Sequence, residues 1–289
     1  MDVHAVAEPV PRHLRGTVRR SARGDHRREG RAHRSLAEAR ALLPSGSAGV
    51  SAVSDSIEAE GFAIVPAAQT RALLGGLPDW DLFADSWNDL GVDGFMADGG
   101  RYRRRRFAAF AASADGTITR KPHQPHYQSR DYNALNGGVQ RWFEPVTQGI
   151  AEHPVTQGLL KAGLDLFHPL TEAPPAAWHV ELHQFRIEAH DGEAGLPTPE
   201  GAHRDGVDWV IVMLVERHNV ASGVTDIFAP DGRALGSFTL TQPGDAVFID
   251  DHCVLHGVTA IRPLQAGGEA RRDVLVVTFR REDPDREEG

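Results

Sequence analysis

The hydrophobic pattern divides the chain into an irregular beginning, a partly helical middle and a strand-rich end. Residues 1–50 contain few large apolar side chains and no periodicity. Such a composition buries too little surface to offset the entropy lost on ordering. We therefore predict a disordered, basic N-terminal extension over residues 1–50 and a folded domain over residues 53–281.

The first half of the folded domain, residues 53–177, is predicted to supply helices, strands and a lid. Its helices are predicted over 54–60, 67–90 (with breaks) and 145–166, and its strands over 61–66 and 99–110. The predicted core residues of this half are Trp80, Leu82, Phe83, Trp87, Leu90, Val146, Ile150, Val155, Leu159, Leu160 and Leu164. The segment 121–143 is rich in turn-forming and aromatic residues, which is typical of a lid or side wall.

The second half, residues 178–281, alternates between short strand patterns and turns. Its segments are WHVELHQFRI, VDWVIVMLV, VTDIFAPDG, GSFTLTQPGDAVFIDDHCVLHGV and RRDVLVVTFRR, each bounded by Gly, Pro or Asp. Several short strands with no long helix between them predict a barrel or double-sheet roll. The fold class is therefore mainly β with flanking helices (α+β), built on a jelly-roll core.

Charge and cysteine content narrow the functional classes. The chain has a net charge of −9, although residues 1–40 hold ten arginines against five acidic residues. The acidic body argues against a nucleic-acid enzyme, whose binding surface would be basic. No apolar run reaches the ~18 residues of a membrane span. The single cysteine excludes an internal disulfide and favours the cytoplasm. The basic extension is interpreted as dispensable rather than as a basic arm or a targeting peptide.

Two histidines and one aspartate are the strongest candidates for a metal site. His203 and Asp205 are two residues apart in an extended segment, so their side chains point the same way. His256 follows a second strand-like run that a jelly roll can bring close. Two imidazoles and one carboxylate on one face leave open coordination positions, as in non-haem Fe(II) oxygenases. We therefore predict an iron site at these three residues.

Competing histidine groups are less suited to a common ion. His179, Glu181 and His183 alternate along one strand, where each step of two residues moves a side chain by ~6–7 Å. That spacing is awkward for one ion bound at ~2.1 Å. His252 and His256 would converge only on a helix, and the residues between them are not helical in pattern.

Arginines in two strands are candidates for binding carboxylates. A keto acid such as 2-oxoglutarate is a common electron source for Fe(II) oxygenases, and its far carboxylate needs a cation inside the barrel. Arg271 and Arg272 open the last strand on opposite faces, and either can be that cation. Arg103 and Arg105 share one face of their strand. They lie either on a basic surface or turn inward to grip a carboxylate, which their fork geometry suits.

Four segments occur together and in order in the C-terminal half. They are LHQFR, HRDGVDWVIVMLV, GDAVFIDDHCVLHGVTAI and RRDVLVVTF. They resemble the bacterial 2-oxoglutarate/Fe(II)-dependent dioxygenases of the isoleucine hydroxylase type. Upstream, RYRRRRF and DYNALNGGVQRWF are similar to the N-terminal half of that family, so the resemblance covers about residues 53–281.

The resemblance implies a double-stranded β-helix (cupin-like) fold and an oxidoreductase that hydroxylates a small molecule, a free amino acid or a derivative. It implies Fe(II) held by His203, Asp205 and His256, with 2-oxoglutarate and O2 as co-substrates. Succinate and CO2 would be the co-products, and ascorbate would serve as the reductant in vitro. Arg272 matches the 2-oxoglutarate partner of the family better than Arg271 does.

Substrate contacts are less constrained than the metal site. Arg103, Arg105, Tyr132 and Gln184 are candidate substrate contacts. The turn ASGVTDIF over 221–228 departs from the Gly-Gly-Asp/Asn turn associated with the family, so the resemblance leaves the substrate open. The alternatives are desaturation or iron-dependent halogenation on the same scaffold, and a non-enzymatic cupin-like metal-binding or sensing module. The carboxylate ligand Asp205 argues against halogenation.

Overall fold

A computed structural model describes residues 48–282 of the chain, apart from residues 134 and 136. The predicted N-terminal extension lies outside the described residues, except for its last three positions. Those three positions are helical, so the first helix begins several residues earlier than the sequence predicts.

Helices in the described residues precede the second half of the domain. They are α1 (Ala48–Glu60), α2 (Ala67–Leu73), α3 (Trp80–Asp85), a 3₁₀ helix (Ser86–Asp89), α4 (Gln148–Ala151) and α5 (Pro154–Leu170). The predicted helix over 145–166 is therefore divided. His153 accepts a hydrogen bond from the backbone N–H of Val155, and Pro154 occupies the first helical position, where its missing N–H costs nothing. No described helix has the length and apolar character needed to cross a bilayer.

Strands make up most of the remaining regular structure. They are β1 (Phe62–Val65), β2 (Arg103–Ser113), β3 (Ile118–Arg120), β4 (Ala177–Ala189), β5 (Trp209–His218), β6 (Val220–Ser222), β7 (Thr225–Phe228), β8 (Ala234–Phe238), β9 (Ala246–Asp250), β10 (Leu255–Val258), β11 (Ile261–Pro263) and β12 (Ala270–Arg281). The segment 121–143 adds only an isolated bridge, between His126 and Arg141, among its described residues.

Two facing antiparallel sheets form the core of the domain. The major sheet has the order β1-β9-β5-β12-β4-β2-β3, and the minor sheet has the order β10-β7-β8. Apolar side chains from both sheets pack together between them: Phe62, Val210, Val274, Ile227 and Phe238. This arrangement confirms the predicted mainly β fold with a double-stranded β-helix core.

The helices cover the outer face of the major sheet. Side-chain alternation along β12 sends Val277 and Phe279 toward the helices and Val274 toward the minor sheet. Phe83 and Trp87, which belong to the helices of this layer, are fully buried, as predicted. Leu82 is 67% exposed, so its predicted core position is wrong. It precedes Phe83 on a short helix, where successive side chains point about 100° apart.

Helix α5 lies against the major sheet at Gly163. A Cβ at this position would lie 2.7 Å from ring carbons of Phe279 and 3.0 Å from Ile211 Cδ1. Real Cβ atoms do not approach neighbours that closely, so a side chain here forces the helix away from the sheet. The glycine therefore sets the distance between the two layers.

We expect Gly163→Ala to lower the free energy of unfolding by about 1–3 kcal/mol, because overpacking outweighs the better helix propensity of alanine. Urea denaturation followed by circular dichroism measures this loss. Gly149→Ala is the matched control, since Gly149 is an exposed helical glycine with nothing within 4 Å of the added Cβ. Equal stabilities for the two variants would contradict the packing argument.

Candidate active site

The segment between residues 203 and 208 is held by one buried carboxylate. Asp251, in the turn after β9, accepts hydrogen bonds from the backbone N–H groups of Asp205 (3.0 Å), Gly206 (2.8 Å) and Val207 (3.1 Å). Gly206 has a φ of 78°, a left-handed conformation that glycine adopts without strain. The loop is therefore fixed at the point where Asp205 leaves it.

His203 and His256 are paired through their backbones. The N–H of each donates to the carbonyl oxygen of the other at 3.0 Å, and the two ring centroids are 4.8 Å apart. The carboxylate of Asp205 faces both rings, with one oxygen 3.6 Å from His203 Nε2 and the other 3.6 Å from His256 Nε2. The structure thus brings together the three residues predicted to bind metal.

The hydrogen bonds of these histidines suit metal binding. His203 Nδ1 lies 3.0 Å from the carbonyl oxygen of Gly201, which only accepts, so Nδ1 carries a proton and Nε2, which faces Asp205, is the nitrogen that can give up its proton to bind a metal. His256 Nδ1 has no hydrogen-bond partner among the described residues, and its Nε2 faces Asp205. Two nitrogens and one carboxylate oxygen, all within 4.8 Å of one another, fit a divalent iron with open positions.

The electrostatic surroundings of His203, Asp205 and His256 favour a bound cation. Burial opposes the charged ring, but the hydrogen bond and charge of Asp205 raise the pKa of His203 to about 9. Burial also opposes ionisation of Asp205, but the hydrogen bond from His203 and the two imidazoles lower its pKa. Burial, together with the charge of His203, lowers the pKa of His256 to about 4. The carboxylate therefore stays ionised and attracts positive charge to this point.

A second group of possible ligands lies in the same cavity. Ligand atoms of His126, Glu181 and His183 are also within 4.8 Å of one another. His126 comes from the segment 121–143, and the sequence offers no periodic signal that joins it to strand β4. The rejected trio of His179, Glu181 and His183 is in contact as well, because the carboxylate reaches both rings at 3.3 and 3.4 Å.

Hydrogen-bond directions make this second group unsuited to a metal. Arg105 Nη2 only donates and lies 2.8 Å from His183 Nδ1, so the proton of His183 is on Nε2 and points to Glu181. His126 Nδ1 donates to the same carboxylate at 2.9 Å. Burial lowers the pKa of His183 to about 3, which keeps this ring neutral. Because Nε2 of His183 carries the proton, this nitrogen has no lone pair with which to bind a metal.

The same logic applies to the third imidazole. Lys121 Nζ donates to His179 Nδ1 at 3.1 Å, so His179 Nε2–H points to Glu181 at 3.3 Å. Burial opposes the charge of Glu181, but the surrounding N–H groups hold its pKa well below the usual range. Glu181 is thus an ionised acceptor of imidazole N–H groups. Arg105 and Lys121 donate to the opposite nitrogens of two of these rings, His183 and His179.

Both groups line a cavity of about 150 Å³ between the major and minor sheets. Valines form much of its apolar wall: Val207, Val212, Val258, Val274 and Val276. Its polar wall includes Arg103, Arg105, His126, Gln128, Arg141, Glu181, His183, Glu200, His203, Asp205, His256 and Arg272. The segment 121–143, predicted to be a lid or side wall, contributes His126, Gln128 and Arg141 to this wall.

The two arginines that open strand β12 have different surroundings. Arg272 is 2% exposed and lines the cavity, and its Nε and Nη2 have no hydrogen-bond partner among the described residues. Burial and the charge of Arg217 lower its pKa to about 10. Arg271 faces the other way and donates to both carboxylate oxygens of Glu216, at 3.1 and 3.2 Å. The cavity therefore contains one of the two candidates, Arg272.

Arg103 and Arg105 point inward, as the second of the two interpretations expects. Both are buried and share Asp93, with Arg103 Nε 2.7 Å and Arg105 Nη1 3.7 Å from its Oδ2. The guanidinium of Arg105 also lies over the ring of Phe143 at 3.7 Å and over that of Phe185 at 4.4 Å. Much of the donor capacity of this pair is therefore already used inside the protein.

Two other predicted substrate contacts lie elsewhere. Gln184 is buried on the outer face of β4, where its Nε2 donates to Ser86 Oγ at 2.9 Å. Placing it at the substrate was wrong, because alternation turns it away from His183, which lines the cavity. Tyr132 is 46% exposed and lies outside the cavity lining. Its ring occupies the space beside Gly206, 2.4 Å from where a Cβ would be.

Comparison with known proteins agrees with this geometry. The 2OG-Fe dioxygenase family profile matches residues 84–278. The chain is 23% identical over 180 residues to a 3(1)-hydroxy-L-isoleucine 4-dioxygenase of Pantoea ananatis, covering 62% of this chain and 73% of that protein. It is 26% identical over 156 residues to an L-isoleucine-4-hydroxylase of Bacillus thuringiensis, covering 53% of this chain and 64% of that protein.

Solved structures show the same fold. The crystal structure of a bsmA homolog from Methylobium petroleophilum superposes with a TM-score of 0.75 and 37% identity, covering 84% of this chain and 97% of that one. The structure of IDO from Bacillus thuringiensis superposes with a TM-score of 0.67 and 18% identity, covering 81% and 100%. The chain therefore belongs to the 2OG-Fe dioxygenase family and is an oxidoreductase that uses Fe(II), 2-oxoglutarate and O2.

Proposed function

We propose that this protein hydroxylates a free amino acid or a derivative of one, with Fe(II) held by His203, Asp205 and His256. The observation that carries the proposal is the convergence of their three ligand atoms within 4.8 Å in the cavity that also contains the unpaired guanidinium of Arg272. The hydrogen bond from His203 Nδ1 to the Gly201 carbonyl supports this assignment, since it leaves Nε2, which faces the carboxylate, as the nitrogen that can bind the metal.

Arg272 is proposed to bind the far carboxylate of 2-oxoglutarate. Its buried donors need an acceptor, because an unsatisfied charged group is costly in a low-dielectric interior. Val274 and Val276 follow it on the same face of β12 and line the cavity toward the metal ligands. A keto acid that lies along these valines would have its charged end at the arginine.

The amino acid class is supported by the relatives and by the size of the cavity. Their names specify L-isoleucine in one case and a hydroxylated isoleucine in the other. A cavity of about 150 Å³ is smaller than the ~300–1,000 Å³ of pockets that bind drug-sized ligands, so it suits a small molecule. A cytoplasmic location is also proposed, on the basis of the single free cysteine, Cys253.

The residues of the chain position the reactants and exclude water. When bound, Fe(II) supplies the redox chemistry that couples decarboxylation of 2-oxoglutarate to oxidation of a substrate C–H bond by O2. Asp251 holds the segment that carries Asp205 by accepting from its backbone N–H, and Gln128 Nε2 donates to the carbonyl oxygen of Asp205 at 2.9 Å. The valine wall keeps the reacting C–H bond away from water, and fixed ligands keep it in one orientation.

The substrate class is tested by adding free amino acids one at a time to protein with Fe(II), ascorbate and 2-oxoglutarate. We expect at least one amino acid to stimulate succinate release and to gain one oxygen atom by mass spectrometry. A product that instead loses two hydrogen atoms would indicate desaturation. If none of the twenty stimulates succinate release, the amino acid proposal is wrong.

The metal assignment predicts opposite results for the two ligand groups. His203→Ala and Asp205→Ala should abolish substrate-dependent succinate formation and weaken Fe(II) binding in an anaerobic titration, because each removes a ligand atom. His126→Ala is the matched control from the other group and should bind Fe(II) as the wild type does. Circular dichroism checks that each variant folds. Full activity in either of the first two variants would contradict the assignment.

The co-substrate assignment predicts different effects at neighbouring positions. Arg272→Met should raise the KM for 2-oxoglutarate by about 10- to 100-fold, because it removes charged hydrogen bonds worth roughly 1.5–3 kcal/mol. Arg271→Met should change it little, since this partly exposed residue pairs with Glu216 at the surface. Steady-state kinetics with varied 2-oxoglutarate measures both. A larger effect at Arg271 would reverse the assignment.

A further inference from the structure

We propose that Glu200 and Arg141 together recognise a zwitterion, Glu200 binding the ammonium group and Arg141 the carboxylate of a free α-amino acid. This inference rests on the proposed function and adds two residues to it. Neither residue was found by sequence reasoning, because both lie in irregular segments. Both line the cavity that contains the metal ligands.

Glu200 presents a free carboxylate oxygen inside the cavity. Its side chain is 14% exposed, and its Oε2 is buried without a hydrogen-bond partner among the described residues. The other oxygen, Oε1, lies 3.6 Å from His203 Nε2. Glu200 is not part of the group whose ligand atoms all lie within 4.8 Å of one another. A positively charged group of the substrate would satisfy the free oxygen close to the reaction centre.

Arg141 presents a free guanidinium on the same cavity. It is 2% exposed, and its Nε has no hydrogen-bond partner in the described part of the chain. The hydrogen bond from its Nη2 to Gln128 Oε1 is long, at 3.5 Å. No carboxylate of the described residues forms an ion pair with it within 4.0 Å. Arg141 is therefore a buried cation without an ion-pair partner among the described carboxylates.

The two groups are close enough to influence each other but too far apart to pair. Burial and the charge of Arg103 lower the pKa of Arg141, and nearby carboxylates, Glu200 among them, oppose that shift. A ligand with a positive and a negative group can therefore complete both at once. Buried charges are costly until paired. The free amino acid, with its ammonium and carboxylate on one carbon, has this chemistry.

The other charged residues of the cavity wall next to these two already have charged or hydrogen-bonded partners, although Arg103 Nη2 and Arg105 Nε have no hydrogen-bond partner among the described residues. Arg103 and Arg105 share Asp93, and Arg105 also donates to His183. Glu181 accepts imidazole N–H groups at both oxygens. Arg272 is assigned to 2-oxoglutarate, which leaves Arg141 as the candidate cation for a second carboxylate in the same cavity.

The test is a set of anaerobic calorimetric titrations of protein loaded with Fe(II) and 2-oxoglutarate. The probes are the twenty free L-amino acids, then the desamino and decarboxy analogues of the tightest binder. For L-isoleucine these analogues are 3-methylpentanoate and 2-methylbutylamine. Wild type should bind the amino acid at least about 10-fold more tightly than either analogue, the value of one charged hydrogen bond.

Each variant should lose the preference for one group only. Glu200→Gln should weaken binding of the amino acid by about 10- to 100-fold and leave the desamino analogue unchanged or tighter. Arg141→Met should weaken the amino acid similarly and leave the decarboxy analogue unchanged. Arg141→Lys, which keeps the charge, should fall between Met and wild type. A Glu200→Gln variant that weakens both probes equally, or that loses Fe(II) instead, overturns the proposal.

Matched controls come from exposed residues near each site. Glu193→Gln lies in the same loop region as Glu200, Arg130→Met lies in the same segment as Arg141, and neither residue lines the cavity. Both should bind all probes as wild type does. If no free amino acid binds at millimolar concentration, the proposal fails. In that case, iron-dependent release of succinate from 2-oxoglutarate distinguishes failure of the recognition pair from failure of the oxygenase assignment.

Discussion

Three backbone N–H groups that donate to the buried carboxylate of Asp251 hold the site together. They fix the segment between residues 205 and 207, and the reciprocal backbone pair of His203 and His256 fixes the other side of the site. Burial and the nearby charge of Asp205 raise the pKa of Asp251 to about 6, because both disfavour the ionised form of this carboxyl group. The ligand positions depend on it because an irregular loop has no sheet ladder to hold it.

Hydrogen-bond direction, more than distance, separates the two clusters in the cavity. Both clusters bring three ligand atoms within 4.8 Å. In one, His203 Nδ1 donates to the Gly201 carbonyl, so Nε2 remains the nitrogen that can bind a metal. In the other, Arg105 donates to His183 Nδ1 and so places the proton of that ring on Nε2, facing Glu181. The same cavity thus contains a candidate metal site and a hydrogen-bonded polar cluster, both built from histidines and one carboxylate.

Local patterns predicted the fold and the convergence of the three candidate metal ligands because both follow from strand alternation. Alternation predicts that His203 and Asp205, two residues apart, point the same way. It also predicts which residues share a face in β4 and in β12. Gln184 does not reach the cavity because strand alternation places it on the face of β4 opposite His183. His126, Arg141 and Glu200 were missed because they lie in irregular segments, where tertiary contacts alone decide which side chains face the cavity. Only Glu200 carried a signal, three residues before a metal ligand in a Gly/Pro-rich loop.

The central claim is that one Fe(II) binds at His203, Asp205 and His256. Anomalous diffraction at the iron edge tests it most directly, on crystals grown anaerobically with Fe(II) and 2-oxoglutarate. The account predicts one anomalous peak about 2.0–2.2 Å from Nε2 of both histidines and from a carboxylate oxygen of the aspartate. A peak between His126, Glu181 and His183, with none at the first site, would contradict it.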